Sequence, residues 1–215
     1  MVYINVLGDN DMSLVNISVK DFTSELAAKK SVPGGGGASA LAAAIGTALG
    51  SMVGEFTVGK KKYLNVEEDI KDLMKRADEI RLALLECIDE DAVAFEPLSK
   101  AYSLPKDEPG RDEIMEKCLK DAAKVPFKIL KLACSAVELQ RAFADKGSVI
   151  MISDAATGSA LLEGAIKGAA VNVKINTKSM KDRQYADALD SEVSELVAKY
   201  TVLAREIYED VWNRL

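Results

Sequence analysis

The chain has 215 residues, of which 48% are hydrophobic and 29% are charged, and this balance excludes a disordered or fibrous protein. The net charge is −6 and no basic face with interleaved aromatic residues is present, which argues against a nucleic-acid partner. The chain contains no histidine, so a Ser-His-Asp triad, a Cys-His pair and a histidine-ligated metal site are excluded. Any acid–base chemistry must come from Asp, Glu, Lys, Tyr or Cys side chains.

Low aromatic content, 6%, together with abundant Ala and Leu favours helices over sheets. We predict an all-α fold: a single domain over residues 1–215, built as a bundle of about six helices whose long central members are kinked at prolines. The first 20 residues lack a basic region followed by an apolar run, so no signal peptide is expected. The three cysteines are widely spaced and typical of reduced, buried thiols, so we expect a cytoplasmic protein.

The first predicted helix begins at a capping signal. Residues 1–17 give only weak signals, for a short strand or an irregular arm. Ser18 is followed three residues later by Asp21, which resembles a capping box with Asp in place of Glu. We therefore predict a helix from this position to about Lys30.

A glycine run separates this helix from the next. Pro33 and the four glycines break the chain, and a second helix is predicted from Ala38 to about Val58. Glycines let the backbone approach a ligand, and a helix N-terminus offers unpaired N–H groups to an anion. The run is neither a Walker A motif nor a dinucleotide fingerprint, and a plain tight turn is the alternative. The candidate substrate-binding residues here are Gly34, Gly35, Gly36, Gly37 and Ser39.

The second helix is free of charge as far as Gly54, but its apolar part begins only at Ala38. That length is short for a membrane span of roughly 20 residues, so we expect a buried helix and no membrane. Gly46, Gly50 and Gly54 recur at four-residue spacing, which permits close helix packing. The contact lies either within one subunit or between two.

Three consecutive lysines follow this helix: Lys60, Lys61 and Lys62. In an acidic chain they form a local positive patch, which indicates either an anion-binding site or a solvated surface cluster. We retain them as candidate substrate-binding residues.

The third helix contains the first candidate catalytic residue. Asn65 with Glu68 three residues later predicts its start, and it reaches about Tyr102, with a kink at Pro97. A heptad places Asp91 on the apolar seam, where a leucine normally lies, in the row Ile70, Ala77, Leu84, Asp91 and Leu98. Burying a carboxylate is costly unless it is paired or its pKa rises. A structural Asp bonded to a lysine or a helix N-terminus is the alternative.

The second half of the chain is predicted to hold three more helices. Residues 103–111 form a loop because they contain two prolines and a glycine. A fourth helix runs from about Asp112 to Ala144, kinked near Pro126, and stops at Gly147. A fifth covers about 148–173 and a sixth about 180–213.

The fifth helix carries the remaining candidates. At 100° per residue, Asp154 lies on the apolar face with Ile150, Leu161 and Ala165, opposite the face of Glu163, Lys167 and Lys174. Asp154 is thus a second candidate catalytic acid, or alternatively a helix N-cap. Asn172 points the same way and Asn176 follows one turn later; both are candidate ligands, or they bond helix ends. On a continuous helix Asp154 and Asn172 are roughly 27 Å apart.

Taken together, these motifs resemble the cyclodeaminase domain of formiminotransferase-cyclodeaminase and its free-standing bacterial relatives, some of them methenyltetrahydrofolate cyclohydrolases. The similarity extends from about residue 18 to 213 in family order. The matching segments are Pro33–Ser39, Val58–Tyr63, Asp91-Ala92, Ala94-Phe95, Val125-Pro126, Ser153–Ala155 and Asn172–Asn176.

The resemblance implies an all-helical homodimer that binds a tetrahydrofolate derivative as substrate near the subunit interface, without metal or nucleotide. It implies either hydrolysis of 5,10-methenyltetrahydrofolate to 10-formyltetrahydrofolate or closure of 5-formiminotetrahydrofolate with release of ammonia. A free-standing chain favours the hydrolase. The alternative of another class is a non-catalytic helical protein that binds folate or a protein partner.

Overall fold

A computed structural model describes residues 13–215, and these residues fold into α-helices with two short 3-10 turns and no strand. The all-α prediction is therefore confirmed for this part of the chain. The helices are α1 (Val19–Ala27), α2 (Gly35–Glu55), α3 (Glu67–Tyr102), α4 (Arg111–Lys146), α5 (Ile152–Thr177) and α6 (Arg183–Trp212).

Helices α2 and α5 lie side by side and antiparallel, since Gly35 faces Asn172 while Gly46 faces Gly158. α3 packs on the other side of α2, α6 packs on the other side of α5, and α4 packs against all four. The pair Arg205–Glu163, at 2.9 Å, joins α6 to the charged face that was predicted for α5. Because all six helices contribute side chains to the main core, burial of apolar surface holds the bundle together.

The glycine stripe of α2 is used within this one chain. A Cβ on Gly46 would lie 2.9 Å from the carbonyl oxygen of Gly158 on α5. Gly50 meets Gln140 and Phe143 of α4, and Gly54 meets Met74 of α3. The stripe was predicted to pack either within one subunit or between two. Packing within the subunit is observed, because three helices approach α2 closely at the stripe's glycines.

Several helix ends follow the predicted signals. The Ser18 hydroxyl accepts the N–H of Asp21 at 3.0 Å and caps α1, while Gly147 ends α4 by donating its N–H to the carbonyl of Phe143 at 2.8 Å. α3 and α4 continue through Pro97 and Pro126, where the kinks stay a prediction. Residues 1–12 lie outside the described part, and 13–17 form a turn.

Two predicted helix starts are wrong. α3 begins at Glu67 without a side-chain cap, so Asn65 is not its N-cap; the Glu67 carboxylate accepts the N–H of Gly59 at 3.0 Å instead. α2 begins at Gly35 rather than Ala38, so the glycines form its first turn and are not a loop before it.

By length and composition, two segments resemble membrane spans, namely Gly35–Glu55 and Val149–Thr177, each with a mean hydropathy of 1.4. The share of buried residues in their apolar windows is 56% and 44%, respectively. Core helices of soluble proteins pass the same test, so this finding is weak evidence for a membrane. It does show that α2 and α5 expose uncharged surface.

Candidate active site

The first turn of α2 is built from glycine because two side chains from other helices press against it. Gly34 is the N-cap and Gly35–Gly37 follow in helical conformation. The first N–H groups of a helix have no intrahelical acceptor, so they are available to other groups. One of them is used: the Gly37 N–H donates to the Asp91 carboxylate at 3.1 Å.

Asp91 reaches this turn from α3. The seam that carries it is otherwise buried, as Ile70, Leu84 and Leu98 are at most 1% exposed. A Cβ on Gly36 would clash with both carboxylate oxygens of Asp91, so this position requires glycine. Burial raises the pKa of the Asp91 carboxyl above its usual range, and the hydrogen bond from Gly37 opposes that rise. The result is an acid that is partly protected from water and held against a helix N-terminus.

Asn172 approaches the same turn from α5. A Cβ on Gly35 would lie 2.8 Å from the Asn172 amide nitrogen, so the side chain lies directly on the backbone of α2. This nitrogen donates to the Gly168 carbonyl at 2.8 Å, which leaves the amide oxygen as a hydrogen-bond acceptor toward Gly35. Asp91 and Asn172 therefore flank two consecutive glycines, Gly36 and Gly35. We call Gly35–Gly37, Asp91 and Asn172 the Asp91 cluster.

Two further candidates lie beside this cluster and support it. Ser39 is 7% exposed, and its hydroxyl donates back to the Gly35 carbonyl at 2.7 Å. A Cβ on Gly168 would collide with that hydroxyl, so Ser39 fixes the contact between α2 and α5. Asn176 is also 7% exposed, and its amide donates to the carbonyl of Asn172 at 2.8 Å. Whether either residue contacts a ligand stays a prediction.

The three lysines follow the other end of α2, and Lys60 and Tyr63 contact Ser148 and Val149, just before α5. We call Lys60–Lys62, together with Asp154 in the first turn of α5, the lysine cluster. Lys61 and Lys62 are exposed in a 3-10 turn, while the Lys60 ammonium lies 3.4 Å from the Ser148 hydroxyl. Asp154 is half-buried in the first turn of α5 and has no hydrogen-bonding partner among residues 13–215. The charge at this end is therefore largely available to solvent.

Asp154 does not cap its helix, since the N-cap of α5 is Met151 and makes no side-chain bond. Its predicted neighbour Ile150 is 74% exposed because it lies in a 3-10 turn before α5, so it is not part of an apolar face. The 3-10 turn also breaks the angular register from which that face was predicted.

Tyr63 is a residue that the sequence did not single out. The Val149 N–H donates to the Tyr63 hydroxyl at 3.2 Å, and this hydrogen bond connects the lysine segment to the 3-10 turn before α5. That hydrogen bond, together with Ser148 and Lys62, lowers the pKa of Tyr63, although burial opposes the effect. In the sequence it directly follows the three lysines and ends the segment Val58–Tyr63 that resembles the family, but no role was predicted for it.

The two clusters cannot form one site within a chain. α5 is continuous from Ile152 to Thr177, so Asp154 and Asn172 lie roughly 27 Å apart along it. α2 likewise places Gly36 and Lys60 at its opposite ends. Among residues 13–215, no group of three or more His, Cys, Asp or Glu side chains is arranged to hold a metal ion.

α2 and α5 share an exposed uncharged face that runs along both helices from the lysine cluster to the Asp91 cluster. On α2 it includes Ile45, 47% exposed, and Met52, 38% exposed. On α5 it includes Val171, 67% exposed, and Ile175, 59% exposed, with Thr157, Ala160 and Gly164 on the same side. A continuous exposed apolar patch of this kind is typical of a protein–protein interface.

Comparison with known proteins gives one consistent result. A family model described as formiminotransferase-cyclodeaminase matches residues 18–195. A methenyltetrahydrofolate cyclohydrolase from Methylorubrum extorquens is 34% identical over 93% of this chain and 98% of its own length. A formimidoyltransferase-cyclodeaminase from Dictyostelium discoideum is also 34% identical, but this chain spans only 37% of that protein. The crystal structure of a formiminotetrahydrofolate cyclodeaminase from Thermotoga maritima superposes with a TM-score of 0.81 at 27% identity, covering 93% of this chain and 99% of that one.

Proposed function

This chain belongs to the formiminotransferase-cyclodeaminase family, and from that premise we propose that it is a methenyltetrahydrofolate cyclohydrolase. The reaction hydrolyses 5,10-methenyltetrahydrofolate to 10-formyltetrahydrofolate. The observation that carries the proposal is the relative of that name, which this chain matches over 98% of its length at 34% identity. Because the matched region covers 98% of that relative, the relative has no room for a second catalytic domain.

Asp91 is the proposed proton shuttle. Its ionised carboxylate takes a proton from a water molecule as the water oxygen bonds to the methenyl carbon, which lies between N5 and N10 of the folate. The bond from the tetrahedral carbon to N5 then breaks as the shuttle returns its proton to that nitrogen. The hydroxyl on the carbon loses its proton to solvent and becomes the formyl carbonyl, so one proton is released overall. A carboxyl whose pKa is raised by burial is suited to both steps, because it takes up a proton more readily than an ordinary carboxylate and can then return it. The same negative charge stabilises the cationic methenyl group.

The other members of the Asp91 cluster are proposed to orient the substrate. The amide oxygen of Asn172 offers an acceptor, and the free N–H groups in the first turn of α2 offer donors. Lys60–Lys62 are proposed to bind the glutamate carboxylates of the folate by charge attraction. No metal or nucleotide takes part in this scheme.

We further propose that the protein is a homodimer and that each site is completed by the partner subunit. The uncharged face of α2 and α5 lies between the two clusters, and an isologous contact pairs residue i with j and j with i. Antiparallel apposition of two such faces brings the Asp91 cluster of one subunit beside the lysine cluster of the other. The partner also covers Val171 and Ile175, which are otherwise exposed to water. We expect this dimer in the cytoplasm, without membrane or nucleic acid.

Formiminotetrahydrofolate cyclodeaminase activity is the second candidate, and the structural neighbour from Thermotoga maritima favours it. The two reactions share the carbon between N5 and N10 and a tetrahedral intermediate. They differ in the group that leaves. In the second reaction N10 bonds to the formimino carbon and gives up its proton, the amino group takes up a proton and departs as ammonia, and Asp91 carries the proton from N10 to the leaving group.

The test is to supply both substrates to the purified protein. With 5,10-methenyltetrahydrofolate, the ultraviolet absorbance of the methenyl form should fall faster than in protein-free buffer at the same pH. With 5-formiminotetrahydrofolate, the same absorbance should rise while ammonia appears if the second candidate is correct. Folate binding without either turnover would leave a non-catalytic binding protein, and no binding would reject both enzymes.

A further inference from the structure

A polar side chain from α4 is inserted between the two helices that carry the proposed site. Gln140 is 1% exposed, and its amide nitrogen donates to the Gly46 carbonyl of α2 at 3.0 Å. Its amide oxygen is buried without a hydrogen-bond partner, and no other buried side-chain nitrogen or oxygen in residues 13–215 shares this property. Buried polar atoms are normally paired, so a site that keeps an unpaired one needs an explanation.

The slot around Gln140 is made of glycine. A Cβ on Gly158 would collide with the amide nitrogen, and a Cβ on Gly50 would collide with the amide oxygen. The oxygen thus faces the Cα of Gly50, which offers it no conventional hydrogen-bond donor. Gly46 and Gly158 also approach each other, since a Cβ on Gly158 would lie 2.7 Å from the Gly46 carbonyl oxygen. α2 and α5 therefore touch through their backbones at the level of Gln140.

Backbone contact between small residues brings helices close but does not by itself fix their axial position. Such surfaces have little relief, so a shift along the axis costs few contacts. A single buried polar residue is a known means of selecting one register among several. Gln140 provides that directional contact near the midpoint of α2, opposite Gly158 in the first third of α5. Gly37 lies near the N-terminus of α2, and Asn172 lies near the C-terminus of α5.

We infer that Gln140 is a positioning residue that sets the register of α2 against its neighbours and thereby aligns the first turn of α2 with Asp91 and Asn172. The expected effect on catalysis depends on the proposed function. The structural role does not depend on it, because the contact between Gly37 and Asp91 exists without substrate. An error of about 1 Å in the placement of catalytic groups is enough to reduce the rate substantially.

The test replaces Gln140→Met, which keeps the length of the side chain and removes both the hydrogen bond and the unpaired oxygen. Gln140→Ala is the second variant, because it removes the same bond and leaves no atom that presses on the glycines. The titration of the Asp91 carboxyl is followed by NMR, and turnover of 5,10-methenyltetrahydrofolate is measured in parallel. We expect Gln140→Met to retain its Tm within a few degrees, to shift the Asp91 titration midpoint and to lower kcat about 10-fold or more, with a smaller change in KM.

The matched control is Val137→Ala, which removes a fully buried side chain from the same helix. It should lower Tm while the Asp91 titration and the kinetic constants stay at their wild-type values. Wild-type titration and kcat in both Gln140 variants, whatever their Tm, would overturn the inference. If the wild-type protein turns over no folate, the titration alone decides, so failure of the proposed function is distinguishable from failure of this role.

Discussion

The charged side chains at the two ends of α2 differ in their exposure to water. At its N-terminus one carboxyl, Asp91, is withdrawn from water and pressed against glycine backbone, and burial raises its pKa. Beyond its C-terminus three lysines share a short exposed segment, and Lys61 and Lys62 face solvent. A desolvated acid that is held by a hydrogen bond is suited to proton transfer, whereas exposed cations are suited to attracting an anion. The comparison therefore favours proton transfer at the first end and binding at the second, as proposed above.

Asp91→Asn should produce the largest effect. It keeps the shape of the side chain and the acceptor for the Gly37 N–H but removes the proton shuttle. We expect kcat for methenyl hydrolysis to fall about 100-fold or more, the scale of lost general acid–base catalysis. Steady-state kinetics on a variant with a normal circular dichroism spectrum provides the measurement. A folded variant with wild-type kcat would show that the buried acid is structural.

The same variant should be more stable than the wild type at neutral pH. The folded-state pKa of Asp91 is raised, so the folded protein holds this proton more tightly than the unfolded chain does. The contribution of this group to stability is therefore full at low pH and is lost as pH rises through the raised pKa. Replacing the ionised carboxylate by a neutral amide removes that loss, so Tm at pH 7 should increase.

In the wild type, the hydrolysis rate should fall as pH falls through the same pKa, and this decrease at acid pH should be missing in the variant.

Gly36→Ala should have the next largest effect. Its methyl group would collide with both oxygens of Asp91, so the acid must move away from the first turn of α2. We expect kcat to fall about 10-fold or more, since misplacement of a catalytic group by an ångström has this consequence. Gly34→Ala is the matched control, because a Cβ there meets no atom within 4 Å. Equal kinetics for the two variants would mean that the close approach of Asp91 has no role in turnover.

Charge reversal at Lys61 or Lys62 should have the smallest effect. Lys→Glu at either position should raise KM several-fold and change kcat little, because the contact is the same in the ground and transition states. The increase should shrink at high salt, as expected for exposed charges. Lys106→Glu, an exposed lysine in the loop after α3, is the control and should leave KM unchanged. A change confined to kcat would place the lysines in the chemistry instead.

The sequence predicted those features that depend on local pattern. The heptad row identified Asp91 as an acid on a buried seam, and the capping signals at Ser18 and Gly147 were correct. The sequence did not predict that the glycines are helical. Their position is determined by the close approach of Asp91 and Asn172, which come from other helices. The glycine stripe of α2 was left open between two roles for the same reason, since only packing shows which helices meet it.

The most direct test of the account is whether the two clusters form one site across two subunits. Asp154, the second candidate catalytic acid, represents the lysine cluster in this test. Asp91→Asn and Asp154→Asn subunits are first shown to be inactive as homodimers and are then mixed under conditions of subunit exchange, with dimerisation verified by light scattering. A heterodimer holds one site with both wild-type residues, so a statistical mixture should recover about a quarter of wild-type activity. If heterodimers demonstrably form and activity stays at the level of the single variants, the two clusters do not share a site and the account is contradicted.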